Sequence, residues 1–409
     1  MLSIVQRLLL TEALWANLSE SYFTNRQDRY VLVEDCAEVA NFFAELVHAV
    51  SDISLQLEHD DTVHVMEEMR LRGPGVAGLQ PVGKAPVFAI KAQLVLLHTY
   101  LWVFFPSLDS KQTSDQPLPH HSHHILLVEC TTKLAPDQEV LPRRQALTER
   151  FPDGNRVDFS SSAHQRIMGV ISVARARQQL LELGHLRDSD SEFEGGEEHS
   201  DTWLFPLVQM KPLGIQLDEE VTQRLLMEAG KDATVYLTSG YFNLTQAYMR
   251  LVLGAASDYC ILMASPEVNG FFGAKGVAGA IPEAYVHLAH QFYSKVCKLG
   301  QQGRVQLHEY HRPDWTFHAK GLWYYLKGKD GPCFTLIGSP NFGYRSVHRD
   351  LEAQIALVTE NEQLQAQLHQ EQEMLYQRST EVSNSTFKQP DRYVKLWVKL
   401  ITPLIKNFF

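Results

Sequence analysis

From Leu204 onward short apolar runs alternate with longer amphipathic ones, and that rhythm admits few folds. FPLVQM (205–210) reads as a strand, and DEEVTQRLLMEAG (218–230) as a helix that stops on Gly230. VYLTSGYF (235–242) and DYCILMAS (258–265) read as strands on either side of a helix, LTQAYMRLVLG (244–254). A Gly-rich loop, NGFFGAKGVAG (269–279), leads to a long helix at 282–300 and a further strand, RVQLHEY (304–310). Strands spaced by helices imply an α/β domain with a largely parallel sheet covered on both faces. Chemistry in such a sheet belongs at the strand ends and the loops after them.

The next stretch carries that chemistry. WTFHAKGLWYYL (315–326) is aromatic-rich and reads as a strand. Residues two apart on a strand face the same way, so His318 and Lys320 project together, with Phe317 and Ala319 opposite. FTLIG (334–338) reads as a neighbouring strand. If the two pair, the turn Gly338-Ser339-Pro340-Asn341 sets the Ser339 hydroxyl and the Asn341 amide beside the histidine. Phosphoryl transfer needs a group that attacks phosphorus or protonates the leaving oxygen, and a histidine does either. It needs a cation, Lys320, and neutral donors for the non-bridging oxygens, Ser339 and Asn341. Glu352 or Asp350 is placed to orient a histidine. No metal and no cofactor is required. A lone His-x-Lys is usually a satisfied core histidine; the adjoining Gly-Ser-x-Asn and acidic tail favour a site.

The start of the chain echoes this arrangement. YVLV (30–33) reads as a strand, and 37–50 as a helix with Val39, Phe42, Phe43, Leu46, Val47 and Val50 on one side. Asn17 precedes Asp28 by 11 residues, and Asn341 precedes Glu352 by the same 11. Both intervals run from a turn asparagine to a carboxylate, which suggests a duplicated unit. The sequence contains a single His-x-Lys, so the first copy is expected to be incomplete. The expected organisation is a remnant at 1–68, an intervening segment at 69–155 and the main domain at 156–409.

Several stretches read as carrying no chemistry. Residues 69–155 are punctuated by Gly and Pro. Their apolar run 87–105 contains Lys91, Gln93 and His98, and is read as buried or poorly ordered chain ahead of a membrane span. His120, His121, His123 and His124 lack a partner at ligand spacing and read as a solvated loop. Residues 161–184 read as a helix, and the acidic run 188–201 as a solvated loop. Thr359-x-x-Glu362 reads as a capping box opening a surface helix. DRYVKLWVKLITPLIKNFF (391–409) is read as a helix packed on the domain, with a membrane-interface helix as the alternative. A net charge of −11 argues against a nucleic-acid partner. Five scattered cysteines without a CxxC exclude a zinc or disulfide framework. MLSIVQRLLL is followed by Glu12 and Glu20, so no targeting peptide is expected there.

His-x-Lys, Gly-Ser-x-Asn and a following acid together resemble the HKD signature of the phospholipase D superfamily. The wording is most similar to eukaryotic phosphatidylglycerophosphate synthases, in ANLSESYFTNRQDRYV, TSGYFNLTQAYM, SPEVNGFFGAKGVAGAIP, WTFHAKGLW and GSPNFGYRSVHRDLEAQ. The resemblance covers 13–66 and about 156–409, and not 69–155. It implies two similar domains, each a central mixed sheet flanked by helices, the first incomplete here. It implies transfer of a phosphatidyl group from CDP-diacylglycerol to glycerol 3-phosphate through a phosphohistidine, by a protein peripherally attached to the mitochondrial inner membrane. His318, Lys320 and Glu352 are then catalytic; Ser339, Asn341, Asn17 and Arg345 bind phosphate; Asp28 and Asp350 orient. Two departures matter. Tyr325 stands where the signature has an aspartate, and the companion His-x-Lys, usual source of the nucleophile, is lacking. His318 is then the general acid toward CMP, and the chain alone is expected to be weakly active or inactive. The alternatives are a phospholipase D-type hydrolase using water, and a non-catalytic lipid-binding module.

Overall fold

A computed structural model describes residues 7–9, 24–34, 36–53, 56–57, 63–64, 88–90, 94–95, 156–182 and 200–408. Asn17, the four clustered histidines, most of 87–105 and nearly all of the acidic loop lie outside the described residues.

The strands that build or flank the site are β1 (Arg26–Gln27), β2 (Phe88–Ile90), β3 (Thr202–Met210), β4 (Ala233–Ser239), β5 (Asp258–Ala264) and β6 (Val305–Tyr310). They continue as β7 (Thr316–Phe317), β8 (Lys320–Leu326), β9 (Phe334–Gly338), β10 (Glu352–Thr359) and β11 (Ser379–Glu381). The main sheet runs β11-β6-β5-β4-β8-β9-β10-β3-β2. The helices are α1 (Ala37–Asp52), α2 (Arg156–Glu182), α3 (Leu217–Glu228), α4 (Gln246–Gly254), α5 (Ile281–Lys298), α6 (Tyr344–His348), α7 (Glu362–Tyr376) and α8 (Leu396–Ile405).

The sheet is mixed, which narrows the expectation of a largely parallel one. Only β4, β5 and β6 run parallel, joined by α4 and α5. From β8 onward the connections are shorter, so β8, β9 and β10 pair antiparallel, and β3 closes antiparallel on β10. Side-chain alternation feeds two cores. Leu322 and Leu336 enter one with Leu226 of α3, Tyr248 of α4 and Phe292 of α5. Trp323 and Tyr325 enter the other with Phe43 of α1, Ile167 of α2 and Leu368 of α7. The result is three layers, helices on both faces of one sheet.

Two smaller readings change. His318 and Ala319 interrupt the expected single strand, which divides into β7 and β8. Helix α7 is capped by Asn361, whose Oδ1 accepts from Leu364 N at 2.9 Å, while Thr359 ends β10. That helix is a core element: Leu364, Leu368, Glu371, Gln372 and Leu375 are buried. No helix among the described residues is long and apolar enough to cross a membrane.

The carboxyl end of β4, the start of β8, the end of β9 and the start of β10 meet at one edge of the sheet. Ser239 pairs with Lys320 and Gly338 with Gln354 in the ladder. Gly321 has φ +117°, a conformation that side chains avoid. A Cβ there would fall 2.0 Å from Leu336 O and 2.5 Å from Arg29 Nη1. The guanidinium of Arg29 occupies the space a side chain would need.

Candidate active site

His318 lies at that edge, its side chain 16% exposed. Its Nδ1 is 2.8 Å from Asp28 Oδ2 and 2.7 Å from Lys320 Nζ. One ring nitrogen cannot donate to Asp28 and accept from Lys320 at once. Lys320 also donates to His318 O, so its ammonium has another acceptor. The Nδ1–H to Asp28 bond therefore sets the tautomer and presents Nε2 as the reactive nitrogen.

Asp28 is delivered from 290 residues away in sequence. Strand β1 pairs in parallel with β7, and His318 N donates to Gln27 O at 2.8 Å. Asp28 then follows directly, its Oδ1 accepting from Arg29 N at 3.0 Å. Burial alone would raise the Asp28 pKa; the charges of Lys320 and His318 outweigh it and hold the carboxyl below its usual value. Burial lowers the His318 pKa, with Lys320 adding to the effect against the pull of Asp28. Burial also brings Lys320 down to about 8, with Asp28 and Glu352 opposing.

The Gly-Ser-Pro-Asn turn follows β9, as the pairing of Leu322 with Leu336 requires. Ser339 Oγ donates to Glu352 Oε2. Asn341 Oδ1 accepts from Ser239 Oγ at 3.1 Å and Tyr241 N at 3.4 Å, tying the turn to the loop after β4. Glu352 thus sits with Ser339, while the carboxylate on His318 is Asp28. Arg345 and Asp350 form an ion pair with each other at 2.9 Å on the more exposed α6 side. Tyr325 points away into the α7 core, its hydroxyl 3.0 Å from His369 Nδ1.

Burial raises the Glu352 pKa from 4.5 to about 7, against the hydrogen bonds from Ser339 and Ser346. A raised carboxyl pKa adds stability in full below the unfolded value, and that stability is lost as pH rises through the folded one. The loss here falls between 4.5 and about 7. Glu352→Gln keeps a neutral group throughout. It is expected to match the parent in acid and to exceed it by on the order of 2 kcal/mol above neutrality, read from urea unfolding at both ends of that window.

Sequence reasoning missed four contributors. Arg26 bonds Thr316 Oγ1 at 3.1 Å and adds positive potential at both His318 and Lys320. Arg29 holds the backbone behind Lys320, its Nη1 3.3 Å from Lys320 O. Gly240 packs on the histidine backbone, where a Cβ would lie 3.1 Å from His318 Cα. The Tyr241 ring meets the His318 ring edge-on at 5.7 Å and stacks on Tyr285. The one available signal was that Arg26 and Arg29 bracket the carboxylate marked by the 11-residue interval. Among the described residues no cluster of metal-ligating side chains forms, and the site as built is histidine, ammonium and hydroxyl chemistry.

The site thus brings a histidine and a lysine together at the end of β4 and the start of β8, next to the Ser339–Asn341 turn. The chain is 53% identical to the mitochondrial CDP-diacylglycerol–glycerol-3-phosphate 3-phosphatidyltransferase of Pongo abelii, over 96% of this chain and 58% of that protein. It is 52% identical to the Homo sapiens protein of the same name, with the same coverage. A Dictyostelium discoideum protein, a probable CDP-diacylglycerol–glycerol-3-phosphate 3-phosphatidyltransferase, is 31% identical over 96% of this chain and 54% of its own. The chain spans about 58% of the length of the first two of these curated relatives. No family profile matches it. Among solved structures, a phosphatidylserine synthase of Haemophilus influenzae is 20% identical with a TM-score of 0.44, covering 59% of this chain and 55% of that one.

Proposed function

We propose that the chain forms part of a phosphatidyltransferase that makes phosphatidylglycerophosphate from CDP-diacylglycerol and glycerol 3-phosphate in the mitochondrion. The supporting observation is the His318 ring held by Asp28 and Lys320 beside the Ser339–Asn341 turn. In the first half-reaction a histidine nitrogen bonds to the phosphatidyl phosphorus, the diphosphate P–O bond breaks and CMP leaves with a proton. In the second, the 1-hydroxyl of glycerol 3-phosphate bonds to that phosphorus, loses its proton and frees the histidine. The covalent bond is assigned to a companion His-x-Lys motif, and the proton to His318, which enters the first step as the imidazolium, gives its Nε2 proton to CMP and takes one back from the hydroxyl. Lys320 and Arg26 stabilise charge on the phosphoryl oxygens, and Ser339 and Asn341 fix the turn that faces them. The lipid substrate requires the protein to work at a membrane surface to which it attaches peripherally.

The test is CMP release by the full-length protein from CDP-diacylglycerol, with and without glycerol 3-phosphate. Release that depends on glycerol 3-phosphate is expected. Equal release without it would assign a hydrolase using water and overturn the transferase reading.

A further inference from the structure

Helix α8 carries Leu396, Trp397, Leu400, Ile401, Leu404 and Ile405, all on its outward side. These positions recur at i, i+1, i+4, i+5, i+8 and i+9, hence on one face. Leu396, Leu400 and Leu404 are 70%, 67% and 75% exposed. Val398 and Thr402 face the protein instead, and Val398 packs with Ala284 and Val286 of α5. The exposed apolar surface continues onto Tyr393 and Phe408 along the chain. Phe272 and Val277, in the loop that enters α5, are exposed as well, and α5 contacts α8. Patches of this kind on a protein surface mark contact with another apolar phase.

We propose that α8 and the Phe272–Val277 loop are the face on which this protein lies on an anionic lipid surface, with the His318 site opening beside it. The proposal deepens the lipid-transferase reading above and rests on it. Three observations select a bilayer. First, Tyr393–Phe409 contains Lys395, Lys399 and Lys406 and no acidic residue, in a chain of net charge −11. Those lysines fall together on the polar side of the helix, where Lys395 also pairs with Glu283, the pattern of an in-plane helix. Second, Trp397 and Tyr393 are the side chains that favour the headgroup level. Third, the loop reaches the site. Phe271 lies beside Tyr241 at 5.9 Å, and Tyr241 meets the His318 ring. At the far end of α8, Asn243 Nδ2 donates to Lys406 O at 2.6 Å, and Arg349 lies over the Phe408 ring at 4.0 Å. A diacylglycerol anchored in the bilayer would then present its diphosphate at the depth of Lys320.

The experiment is flotation of the full chain with vesicles of phosphatidylcholine, alone and mixed with phosphatidylserine. Binding is expected to be stronger on the mixed vesicles. The double variant Leu400→Glu, Leu404→Glu is expected to bind them at least about tenfold more weakly. Both side chains are solvent-exposed, so circular dichroism should not change. Met227→Glu, an exposed position on α3, is the control and should bind like the parent. Failure of the parent to float, or equal flotation of the double variant, overturns the proposal. So does a double variant that converts a parental dimer to monomer with flotation unchanged, since the occupant is then a second copy. A parallel measurement separates this from the reaction. With the full-length protein, the double variant should retain CMP release from a monomeric short-chain CDP-diacylglycerol and lose it from vesicles. A parent that floats yet releases CMP from neither substrate refutes the transferase reading and leaves the docking face standing.

Discussion

His318→Ala is expected to lower CMP release from CDP-diacylglycerol by about three orders of magnitude in the full-length protein. The expectation follows from geometry. The ring is bonded at Nδ1 to Asp28 and meets the Tyr241 ring edge-on, so proton transfer at this histidine is assigned to Nε2. Truncation removes the proton carrier and leaves Lys320 beside an unopposed Asp28, now free to form an ion pair. That rearrangement spoils the placement of the cation as well. The loss should therefore fall on kcat, with KM for CDP-diacylglycerol changing much less, because diacylglycerol and cytidine contacts are untouched. His318→Gln serves as the companion variant, since it fills the same space, can still bond Asp28 and cannot carry a proton. Equal losses in the two variants assign the effect to chemistry. Activity within tenfold of the parent in either one would sink the catalytic role and favour a lipid-binding module.

How far the sequence disclosed this site depends on the distance between partners. His318 and Lys320 were legible because strand parity places side chains two apart together, and the break at His318–Ala319 did not disturb it. The Ser339–Asn341 turn was legible because β8 and β9 are adjacent in sequence and pair directly. The α/β layering followed from the alternation after Leu204. The antiparallel half of the sheet did not, because the rhythm that suggested parallel strands ends at β6 and the later connections are too short for a crossover. Of the carboxylates expected to orient a histidine, Asp28 is the one on His318; Glu352 and Asp350, nearer in sequence, are not, and Asp28 arrives through a strand pairing that no local pattern encodes. Only the 11-residue interval pointed to Asp28 at all. For α8 the composition favoured a helix packed on the domain over one at a membrane interface; Val398 packs on α5, while Leu396, Leu400 and Leu404 are exposed.

Arg29→Met is expected to destabilise the protein by about 4 kcal/mol, and to do so by exposing a second charge rather than by losing one contact. All five N–H groups of Arg29 are used. Nε and Nη2 grip the two oxygens of Glu371 at 2.9 Å each. Nη1 donates to Leu336 O and Lys320 O at 2.7 and 3.3 Å, and Nη2 also to Thr335 Oγ1 at 2.9 Å. The guanidinium lies 3.8 Å over Trp323, whose Nε1 donates to the same Glu371 at 2.9 Å. Both ends of the ion pair are only 1% exposed. Methionine fills much of the volume but leaves the Glu371 carboxylate buried without its cation, and removes a donor from the Leu336 and Lys320 carbonyls. Adding Glu371→Gln should recover part of the loss, because the stranded charge is gone; urea unfolding of the two single variants and the pair measures that coupling. A functional consequence follows from position. Arg29 is the residue after Asp28, and it pins the early segment to the carbonyls of β8 and β9, so the carboxylate on His318 is only as well placed as this anchor. The double variant should therefore regain stability and remain defective in CMP release. Recovery of both would show that Asp28 finds His318 without Arg29, and unfolding of Arg29→Met within about 1 kcal/mol of the parent would show that the buried pair contributes little.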